Sequence, residues 1–116
     1  MTMDESQTVA LDAVVEEHLE KARAAGAGRS ATTLHGGRTH RLRQTVIALA
    51  AGRSLGEHES PGEATLQVLR GRVRLHAGGT TWDGARGELV VIPPDRHDLE
   101  AVEDSAVLLT VVVDRH

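Results

Sequence analysis

Gly56-Glu57-His58-Glu59-Ser60-Pro61-Gly62-Glu63-Ala64-Thr65-Leu66-Gln67-Val68-Leu69-Arg70-Gly71 and Gly87-Glu88-Leu89-Val90-Val91-Ile92-Pro93-Pro94-Asp95-Arg96-His97 are the two stretches that decide how this chain folds. In the first, Gly52 to Gly62 is punctuated by Gly, Ser and Pro and reads as a loop. Ala64 to Arg70 and Arg72 to Ala77 then read as strands flanking Gly71, which predicts a hairpin about that glycine. In the second, Glu88 to Ile92 is a short apolar strand and Pro93-Pro94-Asp95 a tight loop. His97 to Ala101 is the next strand.

Working outward, Gly78-Gly79 turns the chain into a strand at Thr80 to Trp82, and Asp83-Gly84 begins another turn. Ser105 to Val113 is the last strand. Upstream, Ser30 to His35 and Arg41 to Ala50 are strands, with Gly36-Gly37 as the turn. Many short strands spaced by glycine turns predict an all-β sandwich or barrel. Before them, Leu11, Val14, Val15, Leu19 and Ala22 recur at helical spacing and share one face. Ser6 or Thr8 can cap that helix, Lys21 and Arg23 fill its last turn, and Gly26 and Gly28 end it. The expected organisation is a tail and amphipathic helix over residues 1–28, lying across the outside of a β-barrel over residues 29–116.

Composition narrows the partners. The chain has 116 residues and a formal net charge of −4, which disfavours a phosphate-backbone partner. One Trp stands alone without Phe or Tyr, so there is no aromatic platform for stacking bases. No nucleic-acid partner is expected. Val, Leu, Ile and Ala must fill the core. The apolar run Ala106 to Val113 is far too short to cross a bilayer, and no membrane partner is expected. Cysteine is absent, which removes disulfides, thiolate nucleophiles and Cys-ligated zinc; with no leader-like opening, a cytoplasmic setting is expected. Exposed strand edges on so small a barrel predict a homodimer, although the N-terminal helix could cover that surface instead.

The two opening stretches together resemble the paired motifs of the cupin superfamily. Gly71, Gly87, Pro93 and His97 fall at the matching spacings, and His58 takes the first histidine position. The resemblance spans roughly Arg41 to Val113. It implies a double-stranded β-helix (jelly-roll) barrel that binds small molecules. It also implies a divalent transition metal, Zn, Fe, Ni or Mn, held by His and Glu side chains. Carried over residue by residue, the metal positions are His58 and His97. Ser60 stands where the second histidine would be, and Ala64 where the glutamate would be. Glu63 is the leading candidate for a third ligand, with Glu59, His40 and Gln67 behind it. A one-residue offset in a strand, however, points Glu63 to the opposite face unless a bulge near Pro61-Gly62 re-aims it.

Each of these residues also has an ordinary reading. His58 and His97 can be barrel-mouth histidines hydrogen-bonded to neighbours, still able to serve in acid/base chemistry. Gln67 points inward to a ligand or outward as a strand residue. Trp82 walls the pocket or covers the rim. Arg96 clamps a carboxylate or pairs with Asp95 or Asp98 on the surface. Arg72, Arg74 and His76 form an alternating solvent face with enough charge to bind an anion. Two functions follow. One is a small metal-dependent enzyme of the isomerase, lyase, cyclase or dioxygenase class, acting on a polar organic substrate through His58 and His97. The other is a non-catalytic ligand-binding or sensing module with a metal-free barrel. The sequence alone leaves open whether the protein is an enzyme.

Overall fold

The computed structural model describes residues 8–59 and 62–113. One helix, α1 (Leu11–Ala24), precedes eight strands: β1 (Arg29–His35), β2 (Leu42–Leu49), β3 (Gly62–Arg70), β4 (Arg72–Ala77), β5 (Thr80–Ala85), β6 (Leu89–Val91), β7 (His97–Ala101) and β8 (Ser105–Val113). They form two antiparallel sheets, of order β1-β2-β8-β3-β6 and β5-β4-β7. The inner faces meet in a core of Ile47, Leu49, Leu66, Val68, Val73, Leu75, Leu99 and Val107 with their neighbours. This is the all-β jelly-roll with one amphipathic helix that the sequence predicts, filled by branched aliphatics in place of aromatics.

Helix α1 lies on the outer face of the larger sheet. Val15, Leu19 and Ala22 pack there on Val46, Ala48 and Ala106, a second core apart from the barrel interior. Its N-cap is Ala10, whose side chain makes no capping bond, so Thr8 does not cap; Ser6 lies outside the described residues. Ion pairs tie the helix down farther along: Arg70 pairs with Glu16, and Arg23 Nε, in the last turn, donates to Asp104 Oδ2 at 2.7 Å.

Two turns differ from expectation. β3 and β4 do not form a hairpin: they belong to different sheets, and the chain crosses between sheets at Gly71. Gly71 has φ +82, and a Cβ there would stand 2.3 Å from Ser105 Oγ and 2.4 Å from the Asp104 carbonyl. The glycine therefore serves a sharp crossing packed against the start of β8, where the expectation was a two-strand turn. Asp83-Gly84 is not a turn either. Asp83 pairs with Arg74 and Gly84 with Val73, so β5 runs on to Ala85. Gly84 instead makes room for the Trp82 ring, which a Cβ would meet at 2.2 Å.

A candidate ligand site at the barrel mouth

The loop before β3 and the start of β7 meet in a short antiparallel bridge between His58 and His97. Each backbone N–H donates to the other's carbonyl, at 2.9 and 3.0 Å. This pairing sets both side chains at the same level of the barrel. Their ring centroids are 4.3 Å apart, at an interplanar angle of 68°. His97 is 3% exposed, whereas His58 is open to solvent.

Both rings are held the same way. His58 Nδ1 lies 2.9 Å from the Gly56 carbonyl, and His97 Nδ1 lies 3.1 Å from the Asp95 carbonyl. A carbonyl oxygen only accepts, so each Nδ1 carries the proton in the neutral ring. Each Nε2 keeps its lone pair. Among the described residues no buried side-chain nitrogen or oxygen lacks a partner, so the free Nε2 of His97 is not sealed in the core. Asp98 Oδ1 in turn accepts from Gly56 N–H at 2.8 Å, bracing the carbonyl that orients His58.

Behind the pair lies a cavity of about 30 Å3, walled by Ile47, Leu55, Leu66, Leu75, Ile92, Leu99 and Leu109. That volume holds a water or two. Organic ligands generally need several hundred Å3. The chemistry this arrangement supports is therefore proton acceptance or lone-pair donation at the mouth, against an apolar floor.

The other sequence candidates disperse. Gly62 and Glu63 pair in regular register with Val113 and Val112, and among the described residues β3 shifts register against β8 only between Val68 and Arg70. No bulge among them re-aims Glu63, which stays on the exposed outer face while Ala64 points into the core; Pro61 lies outside the described residues. Gln67 shares that outer face, on the same side as Leu69, which packs against the helix layer. His40 sits in the β1–β2 connection against His35, ring centroids 4.6 Å apart. Glu59 is exposed and pairs with Arg96 at 3.8 Å, so Arg96's partner is neither Asp95 nor Asp98. Arg96 opens instead onto a polar groove with Glu57, His76, Thr80 and Thr81. Trp82 faces inward opposite Leu75 and packs on the barrel core without lining the histidine cavity. Ser60 lies outside the described residues. Arg74 pairs with Asp83 at 2.9 Å, and both Arg74 and His76 approach Glu100, so this row is an ion-paired solvent face.

Among the described residues no third His, Asp, Glu or Cys joins the pair. A catalytic metal of this kind draws three ligands from the protein. The two imidazoles suit such an ion in tautomer, but as a set the described residues fall one ligand short of holding it. Sequence reading missed the carbonyls of Gly56 and Asp95, since backbone acceptors leave no signature in residue type. It also missed Leu55, Ile92 and Leu109 as cavity walls, because in sequence they look like any core residue.

The profile of the cupin domain matches residues 45–113. The chain belongs to the cupin family. A conserved protein of unknown function from Streptococcus pyogenes is 31% identical, with a TM-score of 0.70 over 79% of this chain and 80% of that one. An RmlC-like cupin from Desulfovibrio desulfuricans is 25% identical, TM-score 0.64, over 72% and 81%. The salicylate 1,2-dioxygenase of Pseudaminobacter salicylatoxidans shares the fold at 18% identity and TM-score 0.72, over 86% of this chain but 33% of that one. No curated protein matches the sequence. No helix among the described residues is long and apolar enough to cross a membrane.

Proposed function

We propose that this cupin binds a small polar organic molecule at the barrel mouth, with the Nε2 atoms of His58 and His97 accepting hydrogen bonds from it. The observation that carries this reading is the pair of Nδ1–carbonyl bonds, which leave two like acceptors side by side. A primary amide or an ammonium group, each with at least two N–H donors, satisfies both. The small cavity keeps the bulk of the ligand outside the barrel, over the groove that Arg96 borders. On this reading the protein is a ligand-binding or sensing module.

The second reading is a metal-dependent enzyme. It is favoured by the same tautomers, since a free Nε2 braced through Nδ1 is how protein histidines present themselves to metals. There the substrate supplies donors beyond the two that the described residues bring together. The proposal also includes a homodimer through β6, the edge strand whose Leu89 and Val91 are 58% and 70% exposed.

Long-range nitrogen–proton NMR of the histidine rings tests the core of the proposal. Both rings should show the Nδ1–H tautomer, and a Zn2+ titration should leave them weakly and reversibly perturbed. An Nε2–H tautomer at either ring would defeat the acceptor reading. Stoichiometric metal in freshly purified, untagged protein would favour the enzyme.

A further inference from the structure

Helix α1 buries one titratable side chain. His18 is 7% exposed and shares the face that Val15, Leu19 and Ala22 turn to the larger sheet. The side chains packed on that face from β1, β2 and β8 include Leu34, Val46, Ala48, Ala106 and Leu108, all apolar. Two polar groups meet the imidazole. Ser30 Oγ, on β1, lies 2.6 Å from Nδ1, and Glu17 Oε2 lies 3.5 Å from Nε2.

These contacts fix the direction of the serine hydrogen bond. Lys21 Nζ donates to Glu17 Oε2 at 3.1 Å and holds that carboxyl below its ordinary value, so it is an anion. An anion beside Nε2 favours the neutral tautomer with the proton on Nε2. The Nδ1 lone pair then faces Ser30, whose hydroxyl donates to it at a distance normal for an O–H donor. A serine donating to an imidazole whose far nitrogen faces a carboxylate is an arrangement that activates a nucleophile, here with the ring nitrogens exchanged relative to the serine-protease triad.

Ser30 is half-buried, and β1 is an edge strand of its sheet. Ala50 N–H donates to the Gly28 carbonyl at 2.8 Å, and Ser30 stands opposite Ala48. Hydrogen-bonded and non-bonded pairs alternate along antiparallel strands, so Ser30 bonds to Ala48 and the N–H of Ala31 turns to the open edge. The N–H that follows a nucleophilic serine is a familiar donor to the oxyanion of acyl transfer.

We propose that Ser30 is a nucleophile for small acyl groups, with His18 as its base and Glu17 as a positioning residue. Ser30 Oγ attacks the carbonyl carbon of an activated ester, and its proton passes to His18 Nδ1. The bond from that carbon to the leaving oxygen breaks, and the leaving oxygen departs with the electron pair and takes the proton from His18. Water then attacks the acyl-serine and gives a proton to His18. Ser30 Oγ leaves the carbon and recovers that proton, releasing the carboxylic acid. Half-burial under the helix selects a small acyl group. The site is on the outer face of the larger sheet and does not depend on what the barrel-mouth histidines bind.

The probe is p-nitrophenyl acetate, mixed with the full chain at neutral pH and followed by peptide mass spectrometry. Acetylation of Ser30 is expected, and His18→Gln should slow it by about a hundredfold or more. Circular dichroism confirms that the variants are folded. Long-range nitrogen–proton NMR should show the His18 ring of the wild type as the Nε2–H tautomer. Glu17→Gln should move it toward Nδ1–H, a signature that a helix-stabilising role of Glu17 would not produce. A wild type that carries no acetyl on Ser30, or equal acetylation of Ser30 in His18→Gln, would overturn the proposal. So would an Nδ1–H ring in the wild type, because Ser30 would then accept the bond and keep its proton. The mapping and the tautomer are both read on the wild type, so they decide even if a variant fails to fold.

Discussion

His58 and His97 stand side by side yet differ in what they risk when removed. His97 is nearly sealed among Leu and Ile side chains, and its Nδ1–H holds a backbone carbonyl. His97→Ala should therefore cost about 1–3 kcal/mol through lost packing and an unpaired carbonyl. His58 is exposed, and His58→Ala should stay within about 0.5 kcal/mol of wild type. Urea unfolding of the two, beside Leu99→Ala as a packing control expected to lose about 2–5 kcal/mol, measures the difference. Equal losses for the two histidines would mean that the mouth is closed in solution. Gly84 offers a spectroscopic check at the same scale. A methyl there collides with the ring of Trp82, the protein's one tryptophan. Gly84→Ala should shift its fluorescence to the red as the ring is pushed toward solvent. An unchanged spectrum would mean that the ring does not lie over the glycine.

At the scale of elements, the clip between α1 and the β7–β8 turn has a pH signature. The Arg23 hydrogen bond, followed by the Ala51 N–H, holds the Asp104 carboxyl below its ordinary value, and Arg23 is correspondingly raised. A carboxyl lowered in the folded state adds stability above its unfolded value, and that stability is lost as pH falls through the folded one. The pair is open to solvent, which screens it, so the contribution is small. Asp104→Asn should show that deficit at pH 7, and the gap should close as pH falls below the ordinary carboxyl range and through the lowered folded value. A gap of the same size at every pH would assign the effect to packing. Helix α1 itself was legible because five apolar residues at helical spacing can share only one face. The β3–β4 relation was not. Alternation on both sides of Gly71 is the same whether the chain turns back within one sheet or steps across to another. What separates the two is the approach of Ser105 and Asp104, far along the chain.

At the scale of the whole molecule, the larger sheet ends in a short strand with two exposed apolar side chains, while α1 covers its opposite half. Light scattering should give twice the 12.4 kDa of one chain, and the combined change of Leu89 and Val91 to lysine should return a monomer. A wild-type monomer at tens of micromolar would end the dimer reading.

The sequence determined the class of fold, because strand alternation, glycine punctuation and one amphipathic stretch are local properties of the chain. Through His58 and His97 it also located the pair that the fold brings together, since a family motif preserves spacing. Only the tertiary structure decided what surrounds that pair. Facing is fixed by register, and in a strand a single position separates the inside of a barrel from the outside. Glu63 and Gln67 lie outside for that reason, and their neighbours Ala64 and Leu66 lie within. The same holds on the outer face: His18 and Ser30 are distant in sequence and meet only when the helix lies down on the sheet.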